Sequence, residues 1–282
     1  MIQFTQFAAE SAPHVSLAAE TVFTVAGISI TNAMILGVLG YALLIWALVY
    51  VAHVVKRRKK RNFFVKLAVW GYESLLTTVE HVVGDKKLAR SIAPLPITIF
   101  FFVLIQYYLG ILPIVGPITV DGTPLFRGFA ADLNTTFSLA IIFLVAAQIY
   151  AVKVHGFFGN AGRYLRNPIK DPAGAFEGVL EIIAEFSRTV ALSLRLFGNV
   201  FAGEVLLVMV AFLTQYFAVV ALPPFYIFEL FIGGIQAYIF FMLTTVFISL
   251  GTMSHSTHND ARDSPDHSSA DTVKTTPVAA RE

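Results

Sequence analysis

SLRLFGNVFAGE, residues 193–204, lies inside a long apolar run and carries Arg195, with Asn199 four residues on and Glu204 nine residues on. Whether that run is a membrane segment decides the fold, because an arginine at the centre of a membrane helix costs roughly 2.5–3.5 kcal/mol on insertion scales. The composition around it answers the question. Of the 282 residues, 56% are hydrophobic and 13% charged, with a mean hydropathy of +0.72. A soluble domain carries about 25% charged residues. Several stretches reach the roughly 20 apolar residues that a bilayer crossing needs. The chain therefore reads as an all-α, multi-span membrane protein.

Outward from Arg195, the apolar pattern predicts five membrane-embedded helices, about 31–55, 94–114, 133–152, 175–220 and 225–251, in one membrane domain over residues 1–253. Residues 62–83 are interrupted by Lys66, Glu73, Glu80 and His81 and suit an amphipathic helix lying in the interface. Prolines at 94, 96, 113 and 117 flank the second span, and Trp46 with Tyr50 sit toward the basic end of the first. The run 175–220 is the anomaly. At 1.5 Å per residue it would extend about 68 Å, roughly twice the hydrocarbon thickness, so it must tilt, bend or leave the core. Pro223–Pro224 is expected to stop it, and the polar tail 254–282 is expected to be disordered.

Charge sets the topology. KRRKKR at 56–61 also suits nucleic acid, but beside a membrane span it marks the cytoplasmic side. Ten Lys or Arg lie between the first and second spans, only Arg127 precedes the third, and Lys153, Arg163, Arg166 and Lys170 follow it. Five spans with the N-terminus outside and the C-terminus in the cytoplasm satisfy that asymmetry. The start of the chain has no signal-peptide or transit pattern. With no cysteine, disulfides, thiolate metal sites and a Cys nucleophile are excluded. His255, His258 and His267 are irregularly spaced in a polar tail, and no phosphate loop, Ser–His–Asp set or HExxH motif is present. No metal, cofactor or stand-alone catalytic site is expected.

The polar residues inside the apolar runs carry the functional signal. Seven residues make nearly two helical turns, so Glu181, Arg188 and Arg195 share a stripe with a repeat of about 10 Å. Asn199 falls on almost the same face as Arg195, and Glu204 turns to the opposite side. Glu229 and Gln236 repeat the seven-residue spacing on the last span. Such groups either pair off structurally or mark an ion path. Near the cytoplasmic end both readings stand for Glu181 and Arg188, since Arg188 can snorkel. Glu177 and Glu185 read as first-turn acids or surface residues. Desolvated carboxyls can exchange protons, whereas an arginine never gives its proton up. Glu204 and Glu229 beside Arg195 therefore describe a gated proton route. Asp132 and Asn134 fit either a helix cap or an aqueous entrance, and Gln148 fits a hydrogen bond between helices. Gly198, Gly203, Gly233 and Gly234 would let helices approach closely. A stand-alone transporter or channel, with Arg195 binding an anion, is the competing class; it predicts inverted repeats, and none is evident. A scaffold without an ion path would leave the buried charges unexplained.

SLRLFGNVFAGE, with ADLNTTFSLA at 131–140 and FELFIGGIQAYIFFMLTTVFIS at 228–249, resembles subunit a of the F-type ATP synthases, bacterial type, and the resemblance covers about residues 14–253. It implies an ion-translocating, non-catalytic subunit of a bacterial inner membrane, partnered by the c-subunit ring, the b-subunit peripheral stalk and the lipid bilayer, not by nucleic acid. It implies that Arg195 meets the c-ring carboxylate, with Asn199 and Gln236 beside it. Glu204 and Glu229 would take the two polar positions of the inlet, where family members often pair Glu with His or Gly with Glu. Asp132 and Asn134 would line the outer mouth, and Glu181 and Arg188 the cytoplasmic exit. The overlong segment and the last helix would form a long tilted hairpin against the ring.

Overall fold

The structure, a computed structural model, describes residues 3–4, 16, 19–25, 28–57, 62–113, 115, 118–120, 123–164 and 172–252. Residues 58–61 of the basic run, the loop 165–171 and the tail 254–282 lie outside the described residues.

Seven α-helices carry the described chain. Helix α1 (Asn32–Lys56) starts where the Thr31 hydroxyl accepts from the Met34 backbone N–H at 3.3 Å. The sequence turns amphipathic in α2 (Phe63–Val83), which buries Val65, Leu75 and Val79 and leaves Phe63, Leu67 and Trp70 exposed. That two-sided pattern suits a helix at the membrane interface. Gly84, at φ 78°, ends α2 in a conformation that a side chain resists. Asp85 then caps α3 (Lys86–Ile92), and prolines in the first turn open α4 (Pro94–Gly110), where their missing N–H groups cost nothing. The axis bends by 43° between α3 and α4.

Short strands were not foreseen. β1 (Gln3–Phe4), β4 (Ile118–Val120) and β5 (Thr123–Pro124) form a three-stranded antiparallel sheet. β2 (Thr21–Val25) and β3 (Ile28–Thr31) form a hairpin leading into α1. After β5 a 3-10 turn, Phe129–Ala131, packs among α1, α4, α5 and α6. It gets there because α1 carries Gly37, where any Cβ would overlap the Phe129 ring.

Helix α5 (Leu133–Tyr164) outruns the expected third span at 152, passing through Gly156 at φ 75° before continuing. Then come α6 (Pro172–Thr214), 43 residues or about 65 Å long, and α7 (Ala218–Thr252). The reversal between them differs from the sequence expectation. It lies at the 3-10 turn Gln215–Phe217, with Gln215 at φ 41°, while Pro223 and Pro224 sit inside α7. As the sixth and seventh residues of α7, they leave the Val219 and Val220 carbonyls without an intrahelical amide donor, while their fixed φ matches the helix.

By length and hydropathy, three described segments can cross a membrane: Asn32–Lys56, Leu133–Lys153 and the 80-residue stretch Pro172–Gly251, which holds both arms of the hairpin. The bent pair α3–α4 qualifies together as a fourth. Exposed Val38, Ile45, Trp46 and Val49 give α1 an apolar outer face, as lipid contact requires. The interior is aromatic and close-packed, with Tyr107, Phe240 and Phe241 among its largest buried side chains. One cluster joins α1, α4, α5, α6 and α7; a second joins α2, α3, α4 and α7. The fold is an all-α membrane protein closed by a long helical hairpin.

Candidate functional site

Helix α6 organises the site, since its faces point to different surroundings. Arg195, Asn199 and Leu194 are exposed, whereas Leu192, Ser193, Leu196 and Val200 are buried against the other helices. Among the described residues Arg195 has no hydrogen bond or ion pair. Its guanidinium is thus held on an outward face with its donors unspent. One turn away Asn199 donates from Nδ2 to Gln236 Oε1 at 2.6 Å. Gln236 is only 1% exposed, and among the described residues its Nε2 has no hydrogen-bond partner. A buried amide with an idle donor is costly and calls for a further acceptor.

Half a turn out of phase with Arg195, Glu204 points inward. Its Oε1 accepts from the Gly128 backbone N–H at 2.9 Å, and its Oε2 lies 3.8 Å from Arg127 Nε. Arg127 is buried and also donates to the Ser16 carbonyl at 2.8 Å. Ser16, Arg127 and Glu204 border a cavity of about 360 Å³ that is also lined by Glu20, Asn32, Phe126, Phe201, Val208 and Tyr226. Glu229 is more enclosed, at 2% exposure, and accepts a hydrogen bond from Tyr107 Oη at 2.9 Å. Glu204 and Glu229 thus hold separate partners.

On the other side of Arg195 along α6 is a second cavity of about 50 Å³, between α5, α6 and α7. Gln148, Glu181, Glu185 and Arg188 supply its polar wall. Gln148 Nε2 donates to both Glu185 oxygens at 2.9 Å, an inter-helix bond. Arg188 lies 3.6 Å from Glu181 and 5.0 Å above the Phe247 ring. Glu185, expected at the surface, is therefore a wall of this cavity, while Glu177 is exposed.

Asp132 caps helix α5. Asp132 Oδ1 accepts from the Asn134 N–H at 3.2 Å and Oδ2 from Thr135 Oγ1 at 2.9 Å, which opens α5. Neither residue borders either cavity. Gly198, expected at a close helix contact, faces open space, and Gly234 meets only ordinary contact with Tyr108. Gly203 and Gly233 do serve close approach: a Cβ at 203 would overlap the Glu229 carboxyl, and one at 233 would come within 2.5 Å of the Tyr107 ring.

Sequence reasoning passed over Tyr107 as a site residue and used Arg127 only in a charge count. The available signals were a tyrosine pair at 107–108 late in an apolar span and a lone arginine between two spans. A buried tyrosine needs a partner for its hydroxyl, which is a usable sequence clue.

Long apolar helices, a long helical hairpin and an arginine between two cavities that each carry charged side chains define a polytopic membrane protein with charge held at the level of its helices. Residues 33–249 match the family described as ATP synthase A chain, and the chain belongs to that family. It is 33% identical over 175 residues to the ATP synthase subunit a of Mycobacterium leprae, covering 61% of this chain and 67% of that one. With the Listeria monocytogenes subunit a the identity is 40% over 173 residues, covering 58% and 69%. With that of Psychromonas ingrahamii it is 31% over 191 residues, covering 65% and 72%. The alignments thus take in about two thirds of each relative's length.

Proposed function

We propose that this chain is the ion-translocating stator subunit of an F-type ATP synthase, offering two half-channels to a rotating ring of c subunits and coupling proton flow to rotation. The observation that carries this is the pair of cavities. They share no lining residue, they meet α6 at 181–192 and 201–211, and Arg195 falls between them without an ion-pair partner among the described residues. One continuous pore would have joined the two.

In this mechanism a proton enters from outside through the Glu204 cavity, passes Glu204 and Glu229, and loads a carboxylate on the ring. Rotation carries it through lipid to the Glu185 cavity, where Glu181, Glu185 and Arg188 line the exit to the cytoplasm. Arg195 never releases its proton, so it blocks a direct hop and attracts the emptied ring carboxylate. Asn199 and Gln236 stand beside it, with the idle Gln236 Nε2 as a spare donor. Each charge crossing 100 mV supplies about 2.3 kcal/mol to the rotor. The subunit does no bond chemistry of its own; the b-subunit stalk would hold it, N-terminus outside and C-terminus in the cytoplasm. Arg195→Ala is the test. ATP synthesis driven by a proton gradient in membrane vesicles should stop, and normal coupled synthesis would sink the proposal.

A further inference from the structure

The buried tyrosine deserves a role in this path. We propose that Tyr107 is the positioning residue for Glu229, fixing the carboxyl that joins the Glu204 cavity to the neighbourhood of Arg195; this rests on the stator function proposed above. Tyr107 lies along α7 and touches two successive turns of it. Its ring rests on Gly233, where a Cβ would approach within 2.5 Å, and its hydroxyl reaches Glu229, one turn back, at 2.9 Å. The next residue, Tyr108, ties α4 to the same turn by donating to the Leu230 carbonyl at 3.1 Å. From the opposite side α6 presses Gly203 against the carboxyl so closely that no Cβ fits.

Glu229 is thereby pinned between a hydroxyl and a glycine, with Tyr107 and Glu229 at 1% and 2% exposure. Among the described residues it has no cation partner, and Tyr107 Oη is its hydrogen-bond donor. Titratable groups around it include Tyr107 and Tyr108 of α4, Glu204 of α6 and Tyr226 of α7, with Arg127 and Glu20 on the cavity that Glu204 borders.

Location gives this contact its consequence. Glu204 borders the cavity, whereas Glu229 does not and sits behind it, against the residue preceding Glu204. Gln236 lies seven residues further along α7, about 10 Å. A proton leaving Glu204 for the Arg195 region meets Glu229 in between. Proton transfer needs heavy atoms within about 2.6–3.2 Å or one intervening water. A carboxyl that swings away by one rotamer loses that reach, and the Tyr107 bond selects the rotamer that keeps it.

Tyr107→Phe removes the hydroxyl and keeps the ring. In vesicles carrying the whole synthase, ATP-driven proton pumping per assembled complex should fall about ten-fold, equivalent to about 1.4 kcal/mol. Its pH profile should also be displaced from wild type. In a Glu229→Gln background the same change should add less than two-fold. A fluorinated tyrosine at 107, which keeps shape and hydroxyl but changes its acidity, should displace the profile at normal complex abundance. It decides the matter if the phenylalanine variant does not assemble. Wild-type rate and profile in either variant, or an equal ten-fold loss in the Glu229→Gln background, overturns the assignment. Arg195→Ala vesicles run beside them test the stator function separately: pumping that survives there overturns that function whatever Tyr107 does.

Discussion

The two cavities beside α6 are built on different principles. The Glu204 cavity, about 360 Å³, is walled largely by aliphatic and aromatic side chains; Glu20 and Glu204 both line it, and Glu204 faces the buried Arg127. The Glu185 cavity, about 50 Å³, crowds Gln148, Glu181, Glu185 and Arg188 into its wall. Its Arg188–Glu181 pair is about one-third exposed on each side chain, in contrast with Arg127 at 10%. Exposed ion pairs are worth about 0–1 kcal/mol, while breaking a buried one costs several. The same residue types therefore carry very different stakes. On the function proposed above, Glu204 and its buried arginine partner are the expected centre of one cavity, whereas several partly exposed groups share the wall of the other.

The comparison breaks most sharply at access. The chain has no cysteine, so single cysteines report cleanly. Val208→Cys in one cavity and Ala147→Cys in the other should react with a membrane-impermeant thiol reagent from opposite faces, and fully buried Ala237→Cys from neither. Labelling of both cavity positions from one face would end the two-half-channel account. Next in size is Glu204→Gln, which removes the charge beside Arg127 while keeping an oxygen for the Gly128 N–H. Proton pumping should drop about a hundred-fold, about 2.7 kcal/mol. Gly203→Ala forces a methyl onto the Glu229 carboxyl. Overpacking of that kind costs about 1–3 kcal/mol and should appear as a lower thermal midpoint of the extracted complex. Smallest is Glu185→Gln, where the amide can still bond Gln148. Pumping should change by less than about three-fold, because a screened, shared wall absorbs the loss. A hundred-fold effect there would erase the difference between the cavities.

Legibility in the sequence followed the range of the physics involved. The long apolar helices were legible because hydropathy and length are local, and so were the opposed faces of Arg195 and Glu204, which helical period alone sets. Pairing across the fold was not legible. Gly128 and Glu204 are 76 residues apart, and Tyr107 and Glu229 are 122 apart. Nothing in either local pattern names its partner. Glu185 was misread because amphipathic spacing cannot tell a lipid-facing flank from a cavity wall. The proline pair misled for a different reason. It marks where a helix can begin as well as where one ends, and a left-handed Gln215 had already made the turn.

The half-turn offset between Arg195 and Glu204 has a consequence for mutation by insertion. One extra residue anywhere between them would shift Glu204 by only about 1.5 Å along the axis but swing it through about 100°. The carboxyl would leave Arg127 and Gly128 while remaining at nearly the same depth. Helix α6 thus stores its functional information as phase, and a frame-preserving insertion of three or four residues should be tolerated here far better than an insertion of one or two.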